Sequence, residues 1–228
     1  MEVNERYIRA AAVCAIIAAA TTLLVAIPFS GSEPMKVSER ITFYTSPLYG
    51  RLAWVGLGHV CLLAFAYIAV AFVLIQRSPL LAGLGALCFI LWAAVSLILE
   101  SSQLYVLSDE WSKRYFTDRT LRGSIATHLT VFESIWGSLG FARTICIALG
   151  SLCFGLASWR SLGLQKAVAV LLVSVLPVAV AGLAATYMWS PRAGDLVSWV
   201  YAFLQSATRF LMGLWLYRLR VSIRTMLT

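Results

Sequence analysis

Apolar residues in this chain fall into long runs separated by short polar stretches. A helix needs about 20 predominantly apolar residues to cross a bilayer. Six runs approach or exceed that length: residues 10–29, 52–75, 79–107, 129–159, 167–190 and 196–217. The first is uncharged. It is longer than the apolar region of a signal peptide and no A-x-A site closes it, so it is expected to persist as a helix. The third reaches Glu100 and continues to Leu107. The fourth is interrupted by Glu133 and Arg143, and the sixth carries Arg209. Pro177 near the middle of the fifth predicts a kink.

Composition supports this pattern. Of 228 residues, 61% are hydrophobic and 12% are charged, against about 25% charged in a typical soluble domain. Mean hydropathy is +0.84. Lipid rather than water must therefore cover most of the surface. The expected fold is all-α: a polytopic membrane bundle of six transmembrane helices forming one domain over residues 1–228. In a soluble protein a net charge of +8 would point to nucleic acid. Here it fits basic loops against anionic headgroups, so membrane lipids are expected partners and nucleic acid is not. Cys14, Cys61, Cys88, Cys146 and Cys153 all lie in apolar runs without C-x-x-C or zinc-type His/Cys spacing. They read as small packing residues, reduced and dispensable for folding. No metal site and no cofactor is expected.

Orientation follows the basic residues of short connections. The sequences "QRS" and "WRSLGLQK" are short and purely basic, whereas the long connections 30–50 and 108–128 mix acids with bases. Both termini are therefore expected in the cytoplasm. The connection 108–128 also contains Trp111, Tyr115 and Phe116, a composition that fits either a short helix on the membrane surface or an exposed polar loop.

Several features recur together: a basic N-terminal turn, a first span, a long outer loop, and "GRLAWVGLGHVCLLAFAYIAVAFVLIQRS" leading closely into a third span that ends in Glu. After a second long connection comes the glycine-rich "WGSLGFARTICIALGSLCFGLASWRS". This layout resembles a bacterial six-helix membrane family known as a domain of unknown function. The resemblance covers most of the chain and implies a multi-pass protein of the bacterial inner membrane. It brings no catalytic residue, because the family has no established activity.

The polar residues inside the runs are the candidate chemistry. At 1.5 Å per residue, Glu133 lies about 6 Å below the outer boundary and Arg143 about 21 Å. His59 comes at about 12 Å, Gln205 at about 15 Å and Arg209 at about 21 Å, while Glu100 falls near the outer end of its helix. Trp92, Ser96, Glu100 and Gln103 share one helical face, and Tyr201, Gln205, Thr208, Arg209 and Met212 form a similar stripe. Glu133, Trp136, Gly137 and Gly140 share a third face, whose small residues are suited to close helix approach. A charge facing lipid costs several kcal/mol, so these stripes should turn inward. The candidate ligand-binding set is Arg143, Arg209, Glu100, Glu133, His59 and Gln205.

Two accounts of the arginines stay open. In one, Arg143 pairs with Glu133 or Glu100 and Arg209 snorkels to the inner headgroups. In the other, two guanidiniums at one depth without a carboxylate between them receive a carboxylate or phosphate ligand. Three functions follow. The first is binding or transport of a small amphipathic or anionic ligand or lipid through a polar site inside the bundle. The second is a structural or regulatory subunit with a membrane-protein partner. The third is a membrane enzyme acting on a lipid or isoprenoid, with His59 or a glutamate as acid–base group. Catalytic residues are not defined. A His59–His128 haem pair or paired-carboxylate chemistry by Glu100 and Glu133 has little behind it. The chain has no phosphate-binding Gly loop, H-E-x-x-H or G-x-S-x-G.

Overall fold

The computed structural model describes residues 5–26, 37–188 and 191–227, with side chains over 5–25, 37–111, 113–185 and 196–219. The ends of the first and fifth expected runs, at 27–29 and 189–190, and residues 30–36 of the first long connection fall outside these limits. Every described element is helical, and no strand occurs among the described residues. The elements are α1 (Glu5–Ala26), α2 (Val37–Tyr44), α3 (Pro47–Ile75), α4 (Pro79–Ser102), a π-helical stretch (Gln103–Trp111), α5 (Ser112–Thr117), a 3-10 turn (Arg119–Leu121), α6 (Arg122–Ala157), α7 (Gly163–Met188) and α8 (Pro191–Leu227). The protein is an all-α helix bundle.

Among the described residues, five helices are long and apolar enough to cross a membrane, which marks a multi-pass membrane protein. They contain α1, α3, α4, α6 and α7. The sixth expected run lies in α8, which packs along α1 and α7. Its apolar character is broken by Gln205, Thr208, Arg209 and Arg218, and it is not among the five. Large apolar side chains such as Trp54, Leu80, Ile90 and Phe203 project outward, as lipid contact requires and water would penalise. Helix α7 continues through Pro177, because neighbours inside a bundle can satisfy the carbonyl that proline leaves free.

The six long helices form a closed ring. Each packs on its neighbours in the order α1, α3, α4, α6, α7, α8, and α8 returns to α1. Tight turns at 76–78 and 158–162 make successive helices antiparallel. Pro47 opens α3 behind Ser46, whose side chain accepts a hydrogen bond from the Tyr49 N–H at 3.2 Å. This pairing satisfies one of the N–H groups that every helix start leaves free. One end of the ring is filled. Tyr67 stacks on Phe89 with centroids 3.6 Å apart, and Phe154 lies against both. Leu63, Ala66, Val70 and Leu216 close the space around them. At two seams glycine sets the helix separation. A Cβ at Gly155 would meet the Ala169 carbonyl oxygen of α7 at 3.0 Å, and one at Gly213 would meet the Ala12 carbonyl oxygen of α1 at 2.9 Å. Gly137 and Gly140 set no helix separation among the described residues. A Cβ on either would meet nothing within 4 Å.

The segment 108–128 is neither an open loop nor a separate surface helix. Helix runs unbroken over Pro79–Thr117 and again over Arg119–Ala157, 39 residues each. At 1.5 Å per residue each is about 58 Å long, well beyond a hydrocarbon core of about 30 Å. The charges that end the apolar pattern sit on this helix as pairs four residues apart, Lys113 with Asp109 and Arg114 with Glu110. The charged stretch thus continues the helix instead of breaking it. The turn is made by Asp118, whose carboxylate accepts from the Thr120 N–H at 2.9 Å and its hydroxyl at 2.6 Å. The resulting hairpin and α2 enclose a second small core of Ile41, Leu107, Ile125 and Leu129, flanked by Trp111 and Tyr115.

Candidate functional site

The ring surrounds a cavity of about 560 Å³ at the end opposite the aromatic core, and all six long helices line it. Five of the six residues singled out in the sequence reach it: His59 from α3, Glu100 from α4, Arg143 from α6, and Gln205 and Arg209 from α8. Glu133 is not among the lining residues. Its carboxylate pairs with Arg40 of α2, so it fastens the small outer core. His128 also belongs there, with its ring 6.0 Å from that of Trp111.

Arg209 is 4% exposed. Its Nη1 donates to the Thr22 hydroxyl of α1 and reaches His59 Nε2 at 3.4 Å. No ion pair to Arg209 occurs among the described residues, and its Nε has no hydrogen-bond partner among them. The surrounding hydrogen bonds fix the state of His59. Thr22 donates to the Ala18 carbonyl at 2.6 Å, and Thr21 donates to the Ile17 and Ala18 carbonyls at 3.2 Å. The threonine oxygens are therefore free to accept. A guanidinium only donates, so His59 Nε2 must accept from it. Nδ1 then carries the proton and donates to Thr21 at 2.7 Å. His59 is a neutral imidazole positioned by α1 and α8, and both its ring nitrogens are engaged without a carboxylate.

Glu100, 8% exposed, points across to Arg143, with Oε1 3.8 Å from Nη1. That separation is an ion pair without a hydrogen bond. Gly56 makes room for the carboxylate: a Cβ there would overlap it, with Glu100 Cδ 2.9 Å from that point. The two glutamates therefore do not act together. Among the described residues no carboxylate pairs with Arg209, whereas Glu100 reaches Arg143. Arg209, for its part, is held inside the bundle by Thr22 and His59.

Three buried polar atoms of cavity-lining residues, Ser96 Oγ, Gln205 Nε2 and Arg209 Nε, have no hydrogen-bond partner among the described residues. A buried donor without a partner costs about 1–3 kcal/mol in ordinary protein interiors.

No family model, curated protein or solved structure matches the chain.

Sequence reasoning did not identify Thr22, Gly56 or Trp136 as part of the site. Thr21 and Thr22 are the only hydroxyls in the first apolar run, which was a usable signal. A threonine that bonds its own helix is common in membrane spans, however, and carries little information by itself. Gly56 could not be distinguished from Gly58, which has open space around it.

Proposed function

We propose that the protein binds, and passes across or within the membrane, a small amphipathic anion whose headgroup sits between Arg209 and Arg143. The observation that carries this reading is Arg209: a fully buried guanidinium, bonded only to neutral groups, beside a cavity of about 560 Å³. That volume lies in the range of small-molecule sites. The apolar walls formed by Val60, Trp92, Trp136, Ile147 and Leu183 suit an alkyl chain, and the polar floor suits its charged head. The reading includes six spans, with α8 crossing among protein partners, and both termini in the cytoplasm of a bacterial cell. The cavity then opens to the outside and draws its ligand from the surrounding lipid. Labelling of Thr120→Cys, but not Leu162→Cys, from outside intact cells is expected; the reverse pattern overturns this orientation.

Thermal unfolding in detergent tests the site. Octanesulfonate at 100 times its Kd should stabilise the wild-type protein by about 2.7 kcal/mol, and methanesulfonate should not. Arg209→Met should lose this response. Without ligand it should be as stable as the wild type, or about 1–3 kcal/mol more stable, because it removes an uncompensated buried charge. An equal octanesulfonate response in Arg209→Met would sink the reading.

One observation favours a subunit role instead: Gly137 and Gly140 leave one face of α6 open to close approach by another helix. Co-purification of a stoichiometric membrane protein that is lost in Gly137→Leu would favour it. Among the described residues His59 bonds Thr21 and Arg209 and no glutamate, which leaves the enzymatic reading a single acid–base group rather than a pair.

A further inference from the structure

We propose that the cavity selects singly charged headgroups, such as a carboxylate or a phosphodiester, over doubly charged ones, and that Glu100 sets this valence. The inference rests on the anion-binding reading above.

The selectivity follows from charge balance in a space of low polarity. Among the described residues, the charged and titratable groups around Glu100 are Tyr49 and His59 of α3, Arg143 of α6, and Tyr201 and Arg209 of α8. Tyrosines are neutral at ordinary pH. His59 is neutral because its Nε2 accepts from Arg209. Among the described residues two guanidiniums remain against one carboxylate, a surplus of one positive charge. A monoanion cancels that surplus. A dianion leaves a negative charge uncompensated in a region where each such charge costs several kcal/mol. The geometry agrees with this division. Glu100 already occupies one side of Arg143, at 3.8 Å, whereas Arg209 meets no carboxylate among the described residues. Gly56 holds Glu100 within the cavity wall, where a larger residue would displace it.

Octanesulfonate and octyl phosphate test the proposal on the purified full chain by titration calorimetry in detergent. The sulfonate is a monoanion at every working pH. The phosphate monoester passes from dianion to monoanion as pH falls through about 6. In the wild type at pH 8, octyl phosphate should bind at least about tenfold more weakly than octanesulfonate, and at pH 5 the gap should close. Glu100→Gln should lose the discrimination at pH 8, and Glu100→Asp should keep it. If Glu100→Gln does not fold, the wild-type pH comparison decides alone. Equal binding of both ligands at pH 8 overturns the valence proposal and leaves the anion site standing. Binding of neither at either pH overturns both. Competition against octanesulfonate by octanoate, or by phosphatidylglycerol in mixed micelles, distinguishes a free fatty acid from a lipid headgroup. Competition by either is expected, and competition by neither overturns the assignment to these headgroups.

Discussion

An arginine drawn into hydrocarbon loses its water and must find acceptors in the protein. Arg209 finds Thr22 and His59, both neutral, whereas Arg143 finds a carboxylate. The two arginines should therefore answer mutation differently. Arg143→Gln strands Glu100 and should destabilise the protein. Adding Glu100→Gln should recover part of the loss, with a coupling energy of about 1 kcal/mol or less, because the pair is loose and the Arg143 side chain is 37% exposed. Thermal unfolding of the two single variants and the double variant measures this coupling. Purely additive losses would mean that the pair contributes nothing. At this scale the sequence revealed which residues are costly in a membrane but not how they pair. Glu133 and Glu100 looked equivalent as shallow acids. Their separate fates, one with Arg40 and one with Arg143, depend on which neighbours the ring brings close, and hydropathy carries no record of that.

Among the helices, glycine has two distinct roles. Gly155→Ala and Gly213→Ala should each destabilise by about 1–3 kcal/mol, because the new methyl meets backbone that cannot move aside. Gly137→Ala and Gly140→Ala should be neutral or stabilising by up to about 1 kcal/mol through helix propensity alone. Thermal melts of the four variants separate the groups, and equal losses in all four would refute the assignment. The hairpin makes a pH prediction. Hydrogen bonds from the Thr120 hydroxyl and N–H hold the Asp118 carboxyl below the ordinary aspartate value of 3.8. A depressed folded value means that the turn's contribution is complete above that ordinary value and is lost as pH falls through the depressed one. Amide exchange at Thr120, corrected for intrinsic rates, should accelerate on acidification below it. In Asp118→Ala it should be fast throughout, and unchanged protection there would overturn the capping role. The helical extension was the least legible element in the sequence. Its charges end the hydropathy signal, yet on a continuous helix they fall four residues apart and pair.

Taken whole, the molecule was legible as an all-α membrane bundle, because repeated apolar runs of this length match the thickness of a bilayer and exceed what a soluble core can bury. The ring order was not legible, since periodicity tells which face is apolar without naming the helix it meets. That order bears on how the molecule is made. Five of its six seams join helices consecutive along the ring in chain order, so each can form as soon as the next helix leaves the ribosome and enters the bilayer. The seam between α1 and α8 is different: α1 must wait, with the face around Ala12 and Ala19 that receives Gly213 and Ser206 uncovered, until α8 has been synthesised. Chains stopped after residue 188 should therefore insert but remain open along α1, and pulse-chase measurement should show them degraded faster than the full chain. Supplying residues 189–228 as a separate peptide in the same cell should restore their lifetime. The arrival of α8 thus acts as a checkpoint in synthesis, since it alone closes the ring that the five preceding helices leave open.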